Sequence, residues 1–283
     1  MSILQSSIIV TVILKALIVG ISLSILLSIL SYFVVLQRLN FLGVGISHSV
    51  FGGLAFNYLF GLTTLFLPIG FACLTALLIG VLYRKGLSKD SAINVMFVFT
   101  MALGAVVLSF SSGYSANILG MLFGDILAIN NSDILYSLIL LALGLILFSI
   151  FFSHMQLITF NEELARINGI NVDLFYYLFL VFLGIVIVLS VKLIGIILVN
   201  AFLVLPALCG MNVARSYKNV ILWSIVLSII SCISAIFISY YLNTPSGATI
   251  VITFFVVWLF SFIYNKVARG TKWKSQSQLK MKT

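Results

Sequence analysis

Charge is the scarcest thing in this 283-residue sequence: fifteen basic and six acidic residues make up 7% of it, where an ordinary soluble domain carries about 25%. The six acids, Asp90, Asp125, Asp133, Glu162, Glu163 and Asp173, fall in polar breaks or at the ends of apolar runs. That excludes the clustered aspartates with which an intramembrane prenyl transferase holds magnesium and diphosphate. It also leaves out the mid-membrane carboxylates on which proton-coupled carriers rely. Histidine occurs only at His48 and His154, far from the paired spacing of a metalloprotease helix. No Gly-x-x-x-x-Gly-Lys-Ser/Thr phosphate loop is present, so any ATP chemistry belongs to another subunit. Cys73, Cys209 and Cys232 are odd in number, lie in apolar runs and lack metal-binding spacing, so no disulfide framework is implied. They read as small buried residues, Cys209 alternatively as a pathway residue. No constellation suits catalysis, and the chain is not expected to be an enzyme.

Hydrocarbon is abundant instead. Hydrophobic residues make up 63% of the chain, and runs of about twenty recur, each long enough to cross roughly 30 Å of bilayer. The expected fold is all-α: a polytopic transmembrane bundle of about nine spans in one domain, residues 1–265, followed by a basic tail, 266–283. No short cleavable apolar segment opens the chain, so the first run is expected to stay as a membrane helix. The net charge of +9 invites a nucleic-acid reading, but thirteen of the fifteen Lys and Arg fall in four short loops and the tail, which alternate onto one face. The positive-inside rule makes that face cytoplasmic. Membrane lipid, not nucleic acid, is then the partner of the basic tail, which is expected to be disordered or to lie against anionic headgroups.

The expected spans are Ile8–Leu36, Phe41–Phe60, Thr64–Tyr83, Ala92–Phe110, Ile134–Phe152, Leu174–Val191, Leu193–Met211, Val220–Leu242 and Ala248–Tyr264. Arg38 after the first span puts the N-terminus outside, and the count puts the C-terminus in the cytoplasm. Lys15 snorkels to the outer interface and Lys192 marks an outer turn. The stretch Tyr114–Asn131 is apolar but short and broken by Gly124 and Asp125. Parity forbids it to cross, so it is expected as a re-entrant or surface helix on the outer side.

Four places carry candidate function. The second span opens with Gly43, Gly45, Ser47, His48, Ser49, Gly52 and Gly53, small residues that allow close helix approach or a broken helix lining a cavity. A lone intramembrane histidine serves either an interhelical hydrogen bond or a pathway, and neutral imidazole is a ligand for transition metals. In the seventh span Pro206 removes a backbone donor and kinks a helix, which suits either a moving, pore-lining element or simple bundle shape. Asn200 on the same span reads as a helix–helix hydrogen bond or a pathway ligand. Asp125 reads as a cap or as a contact for an incoming cation.

The fourth place is the polar island Phe160–Asp173. Phe160, Leu164, Ile167 and Ile170 recur at helical spacing. Asn161 can cap that helix, Glu162 and Glu163 suit its first turn, and Gly169 suits its left-handed exit. A helix of about residues 160–170 is too short to stand alone, so its apolar face needs a second surface. That surface is the bilayer, the rest of the chain or a partner.

These segments together resemble the permease family of ABC importers for zinc, manganese or iron. Arg38, Gly43, Ser47-His48 and Gly53-Leu54-Ala55 follow the family's first signature, Gly-Asp-x-x-Ser/Ala-His included, except that the family's aspartate falls on Val44. Leu122–Ala128 matches its Leu-Phe-Gly-Asp/Asn-x-Leu-Ala segment, and Glu163-x-Ala165-x-x-x-Gly169 its coupling loop. Gly195–Ala207 matches its proline-bearing helix, and Thr244-Pro245-Ser246-Gly247 its last outer turn. The resemblance implies a fold like that of the cobalamin importer's membrane subunit, in a bacterial plasma membrane. It implies a homodimer or close heterodimer of permeases, an ABC ATPase subunit docked on the coupling helices, and an extracytoplasmic metal-binding protein. No cofactor is expected in this chain; ATP binds the partner. His48, Asp125 and Asn200 would contact the metal in transit, while Gly43, Ser47, Gly53 and Pro206 would line the pore. Glu163, Ala165, Arg166 and Gly169 would couple to the ATPase. The alternative is a metal transporter or channel that works without ATP.

Overall fold

The computed structural model describes residues 3–62, 64–110 and 129–280, with side chains placed between residues 10 and 267. Its regular elements are ten helices: α1 Ile3–Leu36, α2 Leu42–Phe60, α3 Phe66–Arg84, α4 Lys89–Ser109, α5 Asn131–Phe160, α6 Glu162–Ile167, α7 Val172–Ile194, α8 Ile196–Val213, α9 Tyr217–Leu242 and α10 Ser246–Lys280. Eight of them are long and apolar enough to cross a membrane. The other expected span, α2, has 19 residues and a reach of about 28 Å, but its glycines, serines, His48 and Asn57 dilute its apolarity. It depends on packing rather than on hydropathy. The short helix is α6.

Polar contacts define the two ends of the bundle. At one end Lys89 Nζ donates to the Gln37 carbonyl at 2.7 Å, and Gln37 Nε2 donates to Thr159 Oγ1 at 3.1 Å. Arg84 reaches Glu162 and Asp173 in the same layer. The C-terminal ends of α1, α3 and α5 therefore lie beside the starts of α4, α6 and α7. At the other end Lys192 Nζ is 4.0 Å from Asp133 Oδ1 and 5.0 Å from the centre of the Tyr136 ring, which brings the end of α7 to the start of α5. Since α4 departs from the basic layer and α5 begins in the opposite one, the chain between them starts and finishes on the same side. That agrees with the parity argument. Asp125 and nearly all of Tyr114–Asn131 lie outside the described residues.

Packing follows small residues. Ser24, Ser28 and Ser31 on α1 and Ser224, Ser228 and Ser231 on α9 are fully buried, where short side chains let helices approach without a hydrophobic drive between them. α1 and α7 form the centre and are mostly buried, whereas α5 is mostly exposed and faces outward from the bundle. Leu23, Leu27, Leu30 and Phe33 of α1, Leu183 and Ile187 of α7, and Phe202 of α8 share the main core.

Several boundaries move outward from the hydrophobic runs. α5 runs on to Phe160 and takes in His154, whose ring stacks on Phe175 with centroids 4.7 Å apart. The turn after α7 sits at Gly195, at φ 84°, rather than at Lys192. α10 continues as helix to Lys280, through the basic tail.

Candidate translocation seam and docking helix

The glycines of α2 are spent on close contacts with three neighbours. A Cβ on Gly43 would stand 2.5 Å from Asn200 Oδ1 of α8, and one on Gly53 would stand 2.5 Å from Pro68 Cα of α3. Gly45 and Gly52 face α4, at Ile93 and at the Thr100 carbonyl. Here the broken-looking run is an unbroken helix clasped between other helices.

These contacts divide the expected pathway residues into two sets. Gly43 and Ser47, four apart, share the side of α2 that meets α8. Ser47 Oγ and Asn200 Oδ1 are both buried there without a hydrogen-bond partner. Val44 and His48 share another side, about 100° round the helix from Gly43 and Ser47. The His48 ring meets Phe97 of α4 edge-on, centroids 5.0 Å apart. Val44 and Phe97 line an open groove of about 450 Å³ between α2 and α4, together with Asp90, Ser91 and Asn94. His48 is half-buried. Asn200 is therefore on the buried seam, His48 beside the open groove, and the two do not share a face of α2.

Pro206 lies inside α8 and is buried. The next amide, Ala207 N–H, donates across to Ser31 Oγ of α1 at 3.1 Å. A proline disturbs the local hydrogen-bond ladder, and α1 answers with one of its stripe of serines. Nothing in the sequence pairs positions 31 and 207.

α6 is capped as its residues predict. Asn161 Oδ1 accepts from Leu164 N–H at 3.0 Å, and Glu162 and Glu163 occupy the first turn. Beyond the helix Gly169 has φ 78°, its N–H donates to the Arg166 carbonyl, and Ile170 N–H donates to the Ala165 carbonyl, each at 3.0 Å. That pair of bonds is a Schellman closure, which needs the left-handed residue glycine supplies. Ala165 is the fully buried residue of the turn. Phe160, Leu164 and Ile167 are 67%, 49% and 80% exposed, so among the described residues three of the four positions of the expected apolar face are largely open. Ile170 is packed against the core. Glu163 is exposed, with no ion pair among the described residues.

A residue the sequence reading passed over holds α6 in place. Arg84 Nη1 is 3.2 Å from Glu162 Oε2, and its Nε is 2.9 Å from Asp173 Oδ1. Its guanidinium lies over the Tyr176 ring, 5.0 Å from the centroid. Arg166 Nη2 is 3.2 Å from both oxygens of Asp173, so two arginines share that carboxylate. Arg84 is a loop charge in the sequence, and its partners lie 78 and more residues away.

Over most of its length the chain is similar to known membrane proteins. A "Probable metal transport system membrane protein" of Thermotoga maritima is 34% identical over 240 residues, 85% of each chain. The "Manganese import system permease protein ScaB" of Streptococcus gordonii is 32% identical over 263 residues, 92% of this chain and 94% of that one. PsaBC from Streptococcus pneumoniae, solved in complex with Fab, superposes with a TM-score of 0.76 at 31% identity, covering 88% of this chain and 90% of that one. The model of the ABC 3 transport family matches residues 10–265, and the chain belongs to that family.

Proposed function

We propose that the chain is the membrane permease subunit of an ATP-driven importer of divalent transition-metal ions (zinc, manganese or iron), with manganese the first to test. The observation that carries this reading is α6. Its exposed Leu164 and Ile167, with Phe160 at the end of α5 just before it, form an apolar face on a turn fixed by caps and by Arg84, at the end of the bundle where the basic residues gather. An apolar face of that size on a rigid, charge-rimmed turn suits a protein partner, and a separate ABC ATPase is the partner the coupling-loop resemblance implies. The names of ScaB and of the Thermotoga maritima protein support a metal as cargo.

In this reading the basic end faces the cytoplasm, the N-terminus lies outside, and a second permease copy completes the path. An extracytoplasmic binding protein delivers the ion to the outer face. ATP closes the ATPase dimer, draws the two α6 helices together and tilts the spans attached to them through Arg84 and the α3–α4 turn. His48, with Ser47 and Asn200 behind it, contacts an ion held only weakly in transit.

The test is metal accumulation by elemental analysis in cells stripped of their own metal importers, expressing the permease with its neighbouring ATPase and binding protein. Accumulation of one metal that disappears with a hydrolysis-dead ATPase is the expected result. Accumulation that survives that ATPase would overturn the reading in favour of an ATP-independent carrier or channel.

A further inference from the structure

The groove between α2 and α4 contains a polar file that the motifs do not use. Asp90 and Asn94 stand four apart on α4, one above the other on the same face, and both line the groove with Ser91 beside them. Facing them is Val44, the position at which the chain departs from the first signature. α2 and α4 run parallel and in register: Gly45 meets Ile93, His48 meets Phe97 and Gly52 meets the Thr100 carbonyl. His48 therefore stands about one turn beyond Asn94, away from the basic end. The Asp90 and Asn94 side chains are exposed, and among the described residues neither forms an ion pair or a side-chain hydrogen bond. Lys89 does not neutralise Asp90, because its ammonium is turned to the Gln37 carbonyl and the Tyr83 ring.

A carboxylate and a carboxamide are hard oxygen donors, suited to a cation of the manganese class. The groove, at about 450 Å³, has room for an ion that keeps several waters of roughly 30 Å³ each. A partly hydrated ion is held loosely, as transit requires. Resting on the reading of the chain as a metal permease, we propose that Asp90 and Asn94 form a cation station at the basic end of the path. From α4 they supply the oxygen ligands that α2, with Val44, does not.

The test has two arms. In cells carrying the whole transporter at limiting Mn²⁺, Asp90→Asn and Asn94→Ala should each lower uptake about tenfold, the loss of one charge-assisted or chelating contact, at equal membrane abundance. Leu143→Ala, on the outward face of α5, should not. Adding Val44→Asp to the Asn94→Ala variant should restore uptake, which a merely misfolded variant would not allow. In the second arm, Mn²⁺ binding to the purified permease, read by electron paramagnetic resonance, should weaken in Asp90→Asn. Wild-type uptake in both single variants, or unchanged Mn²⁺ binding in Asp90→Asn, would overturn the station. A wild-type transporter that hydrolyses ATP but accumulates no metal would overturn the permease reading instead, and the binding arm would still decide the groove.

Discussion

Gly43 and Gly53 have the same side chain and opposite tolerance for an added one. At Gly53 a Cβ would meet Pro68 Cα at 2.5 Å and Pro68 N at 2.9 Å, backbone atoms that cannot rotate aside. At Gly43 it would meet the ends of two side chains, Asn200 Oδ1 at 2.5 Å and Leu203 Cδ1 at 2.9 Å. Gly53→Ala should therefore cost about 1–3 kcal/mol of stability, the usual range for overpacking, and lower the melting temperature of the purified permease. Gly43→Ala should cost less, and Asn200→Ala in the same chain should relieve it. Asn200→Ala alone tests the role of that residue. Its Oδ1 is buried and unpartnered, a condition that costs about 1–3 kcal/mol, so removing it should leave the melting temperature unchanged or higher. A fall in metal uptake without a fall in stability would then place Asn200 in the path. None of this was legible in the sequence, where the α2 glycines are simply poor helix formers. Which neighbour each glycine admits depends on three other helices.

At the scale of the element, α6 was the most legible part of the chain. Its cap, its acidic first turn and its glycine exit are local rules, satisfied by residues within ten positions of one another. What holds it to the bundle was not legible, because Arg84 sits at the far end of α3. The ion pairs of Arg84 are partly exposed, its side chain 22% and those of Glu162 and Asp173 41% and 43%. Each is then worth about 1 kcal/mol or less to stability. Arg84→Gln should accordingly leave the permease folded while loosening the link between α6 and α3. The expected reading is more ATP hydrolysed per metal ion accumulated, measured on the reconstituted transporter. Ile167→Ser should act differently. At 80% exposure that side chain adds little to the packing among the described residues, so the melting temperature should hold. Capture of the ATPase should weaken about tenfold, as expected when a central apolar contact is truncated. Unchanged capture would mean that the apolar turn of α6 lies against lipid.

For the whole molecule, the decisive quantity is the distribution of charge. Arg38, Arg84, Lys85, Lys89, Arg166, Arg215, Lys218 and Lys266 gather at one end of the bundle, and Lys192 stands at the other with Asp133. With Cys73, Cys209 and Cys232 replaced by serine, a cysteine at Lys192 should react with a membrane-impermeant maleimide in intact cells. A cysteine at Lys218 should react only after permeabilisation. The reverse pattern would invert the proposed orientation and with it the direction of transport.

The sequence by itself determined that the chain crosses a membrane, roughly where, with its basic loops on one face, and that a capped amphipathic turn breaks the apolar runs. Each of these rests on composition, period or neighbours a few residues apart, which solvent and bilayer read directly. Only the tertiary structure decided the partners: Gly43 under Asn200, Ser31 at the amide after Pro206, Arg84 on Glu162 and Asp173, and Asp90 and Asn94 facing Val44. In a bilayer lipid tails are as apolar as leucine, so hydropathy drives a helix into the membrane without choosing which helix lies beside it. That choice is made by small residues, shape and a few polar contacts, and these act between positions far apart in the chain.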